Sequence, residues 1–221
     1  SVTIDGARQN KSAFHHVGNV LIDPALLERV DISSGLAPAD RGPGALAGSI
    51  AYQTKDARDL LEPGKSFGGL ATLSFGTNAE TFRRSLTLFG AEGGFEYLLS
   101  ATRSTGDDYT DGSGAVMPFT AAGLTNYTAR LAYTTDSGKR LEFSAEQTRD
   151  SGPRAGQVGA GGLLYIRPDF AAVRGAVIPV HAVSTRRSYA FTYTDETPDG
   201  TWAPTIQLAY NEQDLDGQQV T

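Results

Sequence analysis

The sequence predicts a mainly β chain in two unlike parts: a small mixed α/β segment over residues 1–64, then an antiparallel sheet over residues 65–221. Three observations point there. After Lys65, apolar and polar residues alternate in seven short segments, the period of a strand with one apolar face. Turn signals rich in Gly, Asp and Pro separate these segments. Before Lys65 the alternation gives way to a proline-started turn and a Gly- and Pro-rich stretch.

In the first part, Ser1 to Gln9 reads as a strand ending in a turn at Asp5-Gly6. Asp23 to Arg29 predicts a short helix, with Asp23 placed to cap free amides and Pro24 where a missing N–H costs nothing. Val30 to Ile32 returns as a strand. Gly35 to Gly48 favours tight turns, and Ser49 to Thr54 resumes a strand.

In the second part the predicted strands are Phe67–Gly76, Thr81–Phe89, Phe95–Arg103, Tyr127–Thr134, Leu141–Thr148, Arg187–Thr194 and Ile206–Glu212. Each sets an apolar row, such as Leu131 and Tyr133, against a polar one, such as Thr128 and Arg130. Compact turns follow the second, fourth and sixth strands, at Glu92-Gly93-Gly94, Asp136-Ser137-Gly138 and Asp195 to Pro204. Long polar loops, Ser104 to Asn126 and Asp150 to Arg186, are predicted after the third and fifth. Short turns on one rim and long loops on the other suit a transmembrane antiparallel β-barrel. A soluble antiparallel sandwich also alternates, and periodicity alone does not separate the two.

Composition excludes several function classes. With no cysteine there are no disulfides, thiolate metal sites or cysteine nucleophiles. A net charge of −6 and no basic run argue against a nucleic-acid partner. No stretch approaches the roughly 20 apolar residues of a spanning helix. Opening inside a strand, without a leader, the chain reads as a piece of a longer one. No nucleophile elbow, zinc-binding His-Glu-x-x-His or phosphate loop is present, and an enzyme is not expected. Asp107, Asp108 and Asp111 lack the ordered ligand series of a calcium loop and read as solvated carboxylates. His181 is placed in a loop.

The strings IDPALLERVDI, then GPGALAGSIAYQTKDARDLLEPG, then a sheet opening at FGG, together with DGARQ and the pair His15-His16 before Asp23, carry a family resemblance. The order resembles the plug-to-barrel junction of TonB-dependent outer-membrane receptors, most of all their haem (haemin and haemoglobin) branch. Ser34 to Leu36 and Ala39 to Arg41 depart from that family's pattern. The resemblance implies that residues 1–64 are the C-terminal part of a plug and residues 65–221 the first seven or so strands of a barrel set in outer-membrane lipid. It also implies haem, free or from a haemoprotein, as the transported ligand, and TonB as a partner engaged through a segment N-terminal to Ser1. His16 matches the position of a plug histidine that ligates haem iron axially, with His15 its neighbour. A neutral imidazole is a suitable axial ligand. Without the resemblance, both histidines read as solvated loop residues.

Overall fold

In the computed structural model of the chain, the described residues are 1–9, 22–35, 48–159, 162–165, 178–197 and 202–219. They build two sheets, one of four strands and one of eight.

The four-stranded sheet runs in the order β2-β1-β4-β3, with β1 at Val2–Ile4, β2 at Ala7–Arg8, β3 at Leu27–Ser34 and β4 at Gly48–Thr54. Asp5 and Gly6 form the two-residue turn between β1 and β2, both at positive φ (44° and 75°). Asp-Gly suits such a turn because both residues tolerate positive φ, and a turn of that kind matches the right-handed twist of the flanking strands. Strand β4 lies parallel to β1 and antiparallel to β3.

The helix expected over Asp23–Arg29 shrinks to a single 3-10 turn, Pro24–Leu26. Asp23 does cap it, accepting from the Ala25 amide at 2.9 Å, but Leu27 already begins β3. Pairing with β4 gives Leu27 to Ser34 eight residues of strand, and the ladder overrides a weak local preference for helix. A helix not read from the sequence, α1 at Ala57–Leu60, follows β4 and opens on a reciprocal cap between Asp56 and Asp59.

The larger sheet is antiparallel throughout. Its strands are β5 (Phe67–Gly76), β6 (Thr81–Glu92), β7 (Phe95–Thr105), β8 (Gly123–Thr134), β9 (Lys139–Gly159), β10 (Gly162–Tyr165), β11 (Ile178–Asp195) and β12 (Thr205–Gln219). All seven expected strands are present, in sequence order except for the short β10, which folds back on the end of β9. Gly93 and Gly94, at φ 58° and 79°, are the whole turn between β6 and β7. A Cβ on Gly94 would lie 2.4 Å from the Thr134 carbonyl oxygen, so the next hairpin closes against it.

The long loop predicted over Asp150 to Arg186 is corrected here. Strand β9 runs on to Gly159 and β11 already begins at Ile178, pairing residue by residue from Arg140↔Thr194 up to Ile178↔Gly156. The reason lies in what alternation reports. Past Ala145 the row containing Gln147, Arg149 and Ser151 is as polar as the one containing Thr148 and Asp150, so the period disappears while the ladder continues. His181 therefore sits within β11 and is exposed, not in a loop. The Ser104–Asn126 loop is real but shorter, residues 106–122.

The two faces of the large sheet are inverted relative to a soluble fold. Thr87, Glu96, Ser100, Thr102, Asn126, Arg130, Arg140, Thr148, Arg186 and Ser188 are buried. Leu73, Phe75, Leu99, Tyr127, Phe143, Phe191 and Leu208 are exposed, Leu73 to 74% and Leu208 to 67%. The four-stranded sheet and α1 lie on the polar face. Among the described residues nothing covers the apolar face.

Candidate functional site

The feature with most chemistry is the contact between the four-stranded sheet and the polar wall. It consists of three charged clusters at different heights along the strands.

The first lies at the short-turn rim. The cap Asp56 and α1's own Arg58 meet Glu96 and Arg140 of the wall. Glu96, its side chain 4% exposed, is held between Arg58 Nε at 2.7 Å and Arg140 Nη1 at 2.5 Å. Arg140 also reaches Asp56 at 3.2 Å and Glu142 at 3.4 Å. Arg58 donates to Thr134 at 2.8 Å and lies 3.3 Å from Glu196. Below this layer Ala57, Phe89 and Leu98 form a small apolar cluster with Leu60 and Leu61. Gly68 makes room for it, since a Cβ there would meet the Phe89 ring at 2.4 Å.

The second is centred on Arg130 of β8. Its guanidinium donates to the Thr54 carbonyl at 2.7 Å and to the Thr54 hydroxyl, pairs with Glu142, and lies 3.6 Å from Asp5. Asp5 in turn accepts from the Thr54 amide at 2.9 Å and hydroxyl at 2.7 Å. The Asp5-Gly6 turn touches the far end of the sheet too, because Gln207 of β12 donates to the Asp5 carbonyl at 2.9 Å. Glycine is favoured at position 6 by its φ of 75°, and a Cβ there would also oblige the Gln207 carboxamide to move off the turn.

The third lies toward the long-loop rim. Asp23, its side chain 3% exposed, pairs with Arg83 of β6 and accepts from the Thr102 hydroxyl of β7 at 2.6 Å. Burial raises the Asp23 pKa, but Thr102, the Ala25 amide and Arg83 together bring it below the ordinary carboxylate value. The carboxylate is thus charged at neutral pH and binds both strands. On the neighbouring wall Glu146, Arg186 (2.7 Å) and Asn126 (3.1 Å) form a further buried network, and Asn211 of β12 donates to Gln9 at 3.2 Å.

Such an interface can hold a folded segment in place and can also release it. Polar contacts re-form with water, whereas a buried apolar contact of equal area would resist parting.

Residues 1–49 match the TonB-dependent receptor plug domain family. Over 214 residues, 97% of this chain, the sequence is 35% identical to the heme transporter BhuA of Brucella ovis, of which it covers 30%. The fold matches the FrpB iron transporter of Neisseria meningitidis with a TM-score of 0.78 at 25% identity, covering 97% of this chain and 33% of that one. It matches the Serratia marcescens hemophore receptor HasR, solved with its hemophore HasA and heme, with a TM-score of 0.77 at 25% identity, covering 99% and 31%. The chain belongs to the TonB-dependent receptors. It spans about a third of the length of these relatives.

In a TonB-dependent receptor the large sheet is barrel wall and the apolar face looks outward, so the sandwich alternative is discarded. His15 and His16, the ligands suggested by the sequence, lie outside the described residues. Of the described residues that flank them in sequence, Gln9 and Asp23 are both hydrogen-bonded to the wall. The acidic loop residues are turn-formers. Asp108 accepts from the Thr120 and Ala121 amides at 2.7 and 2.8 Å, and Asp111 from the Ser113 and Ala115 amides at 2.8 and 3.0 Å. The Ser113 hydroxyl, then those amides, lower the Asp111 pKa. No group of three potential metal ligands occurs among the described residues.

Sequence reasoning reads Asp23 only as a cap and Arg130 only as a polar-row residue, and it does not single out Asp56, Glu96 or Arg140. One signal was available: charged residues on the wet side of strands, Arg130 and Arg140 with Glu96 and Glu142, at positions where Ser and Thr would have sufficed.

Proposed function

We propose that this chain is the plug-to-barrel portion of a receptor that imports haem, free or released from haemoproteins, across the bacterial outer membrane. Residues 1–64 are its share of the plug and residues 65–221 the first strands of its barrel. The observation that carries this reading is the 35% identity to a heme transporter over 97% of the chain, joined to a wall that is wet inside and apolar outside. The importer is energised through TonB, engaged by a segment outside this chain. Its role is capture and gated passage, without covalent chemistry on the ligand.

His16 serves as an axial ligand to the haem iron, and His15 flanks it. Support is chemical: a neutral imidazole bonds haem iron well, and Phe14 and Val17 are apolar enough to lie against a porphyrin face. Haemin titrated into the whole membrane-inserted receptor is expected to shift the Soret band, and His16→Ala to weaken that binding about tenfold or more while His15→Ala changes it less. An unshifted band, or equal affinity in His16→Ala and wild type, overturns the assignment.

A ferric-siderophore or other iron receptor is the second reading, favoured by the match to a protein named as an iron transporter. Competition between haemin and a ferric chelate for the same receptor decides between them.

A further inference from the structure

The stretch that joins the four-stranded sheet to the wall divides at one peptide bond. Up to Lys55 its donors point back into the sheet and the 3-10 turn. The Lys55 amide donates to the Leu26 carbonyl at 2.7 Å and its Nζ to the Ala25 carbonyl at 3.2 Å, while the Thr54 amide and hydroxyl donate to the Asp5 carboxylate. From Asp56 onward the partners belong to α1 and the wall. The Asp56 amide donates to the Asp59 carboxylate at 2.8 Å, and the Asp56 carboxylate accepts from Arg140 at 3.2 Å. By Ser66, whose carbonyl accepts from the Ala91 amide of β6 at 2.9 Å, the chain has joined the wall's own ladder.

The two sides are held by different forces. Ala57 of α1, 2% exposed, packs with Phe89 and Leu98 of the wall, and Leu60 and Leu61 lie against them. The four-stranded sheet and its turn meet the wall through hydrogen bonds and ion pairs at Asp5, Gln9, Asp23 and Thr54. As surfaces part, water takes over hydrogen bonds of the second kind, whereas exposing the apolar cluster is uncompensated. Arg130 stands where the two meet. From the wall it donates to the Thr54 carbonyl at 2.7 Å and to the Lys55 carbonyl at 3.4 Å, the last two residues on the sheet's side.

We infer that the unit able to part from the wall ends at Lys55, and that residues 56–66 stay with the barrel when it does so. Arg130 is the wall's latch on the end of that unit, and α1 is the fixed pivot beyond it. The releasable piece is therefore shorter than the segment that precedes the first wall strand. Local opening follows cooperative units, and contacts rather than sequence boundaries set those units. This inference rests on the chain being part of a receptor whose plug parts from its barrel, and is independent of haem.

Three buried alanines supply matched probes: Ala7 and Ala51 in the sheet and Ala57 in α1, 2%, 5% and 2% exposed. Each is changed singly to cysteine in the whole membrane-inserted receptor, with any cysteine outside these 221 residues changed to serine, since they contain none. Maleimide labelling is followed through a urea series in mild detergent, and heat-dependent gel mobility of the same samples reports the barrel. Where the barrel is still intact, Ala7→Cys and Ala51→Cys are expected to label at least about tenfold faster than Ala57→Cys. Adding Arg130→Gln should lower the urea concentration at which Ala51→Cys becomes reactive, with Ala57→Cys still protected. Simultaneous labelling at all three positions, or Ala51→Cys unmoved by Arg130→Gln, overturns the proposal. Peptide-resolved hydrogen exchange of the unsubstituted receptor over the same series makes the comparison without cysteines: residues 48–54 should exchange before residues 57–61, and exchange of both together overturns it equally. Haemin binding is read separately by its Soret band, so a failed titration counts against the haem assignment and leaves this test standing.

Discussion

Asp23 shows how much a single side chain can hold in this interface. It caps the 3-10 turn, pairs with Arg83 and accepts from Thr102, joining the four-stranded sheet to two wall strands. Its folded-state pKa lies below the unfolded value of about 3.9. Its contribution to docking is therefore complete above that unfolded value and disappears as pH falls through the lower folded one. Asp23→Asn keeps the shape but removes the charge, and should weaken docking of the N-terminal segment by about 1–3 kcal/mol at neutral pH. Protease susceptibility of that segment, followed from neutral pH into acid, checks it: wild type should become susceptible on acidification, and the variant should be susceptible at both ends. Arg140→Ala should cost more, about 3–5 kcal/mol, because Glu96 would remain buried with only the half-exposed Arg58 opposite it. Chemical unfolding of the two variants side by side should rank them in that order.

Turns and ladder positions decide the elements. Gly94 needs both a positive φ and the space beside the Thr134 carbonyl, so Gly94→Val should disrupt the β6–β7 turn and its packing on β8. The expected cost is about 1–3 kcal/mol, read as a slower rate of barrel formation and a lower unfolding midpoint. Gly6→Val acts differently: a β-branched residue at φ 75° strains the β1–β2 turn and displaces the Gln207 carboxamide from the Asp5 carbonyl, and increased protease cutting in the N-terminal segment with an intact barrel should reveal it. The expected helix at Asp23–Arg29 failed because its residues could gain a ladder with β4. The seven strands succeeded because each has an apolar row of at least three residues alternating with a more polar one. The upper halves of β9 and β11 escaped notice for lack of alternation: past Ala145 both rows of β9 are polar, while in β11 Val180, Ala182 and Val183 put apolar residues on both rows.

For the whole molecule the inversion of faces is the governing fact. Phe143 in the middle of the apolar band should accept a charge poorly: Phe143→Lys is expected to cost about 2–4 kcal/mol and to reduce heat-resistant barrel in isolated membranes. Ser144→Asn, one residue on and facing the wet side, should leave barrel yield nearly unchanged. Equal losses in both would mean that the assignment of inside and outside is wrong. Along the register the apolar band runs from Phe75 and Phe82 in β5 and β6 down to Tyr189 and Tyr210 in β11 and β12, whose rings stack at 6.4 Å. A band that crosses the register obliquely is what tilted strands require if the apolar zone is level with a membrane.

The sequence alone determined that strands exist, where most of them lie and which residues share a face, because period-two alternation is local and the Gly-rich turns are local too. It also carried the family resemblance and the two histidines. Which face turns inward was beyond it: alternation is identical whether the apolar side meets another sheet or lipid. Only the tertiary structure set the four-stranded sheet against the polar wall, and so brought Asp5, Asp23 and Asp56 to arginines 60 to 125 positions away in sequence. Those pairings are made by the closure of sheet on segment, a long-range event that no window of neighbouring residues encodes.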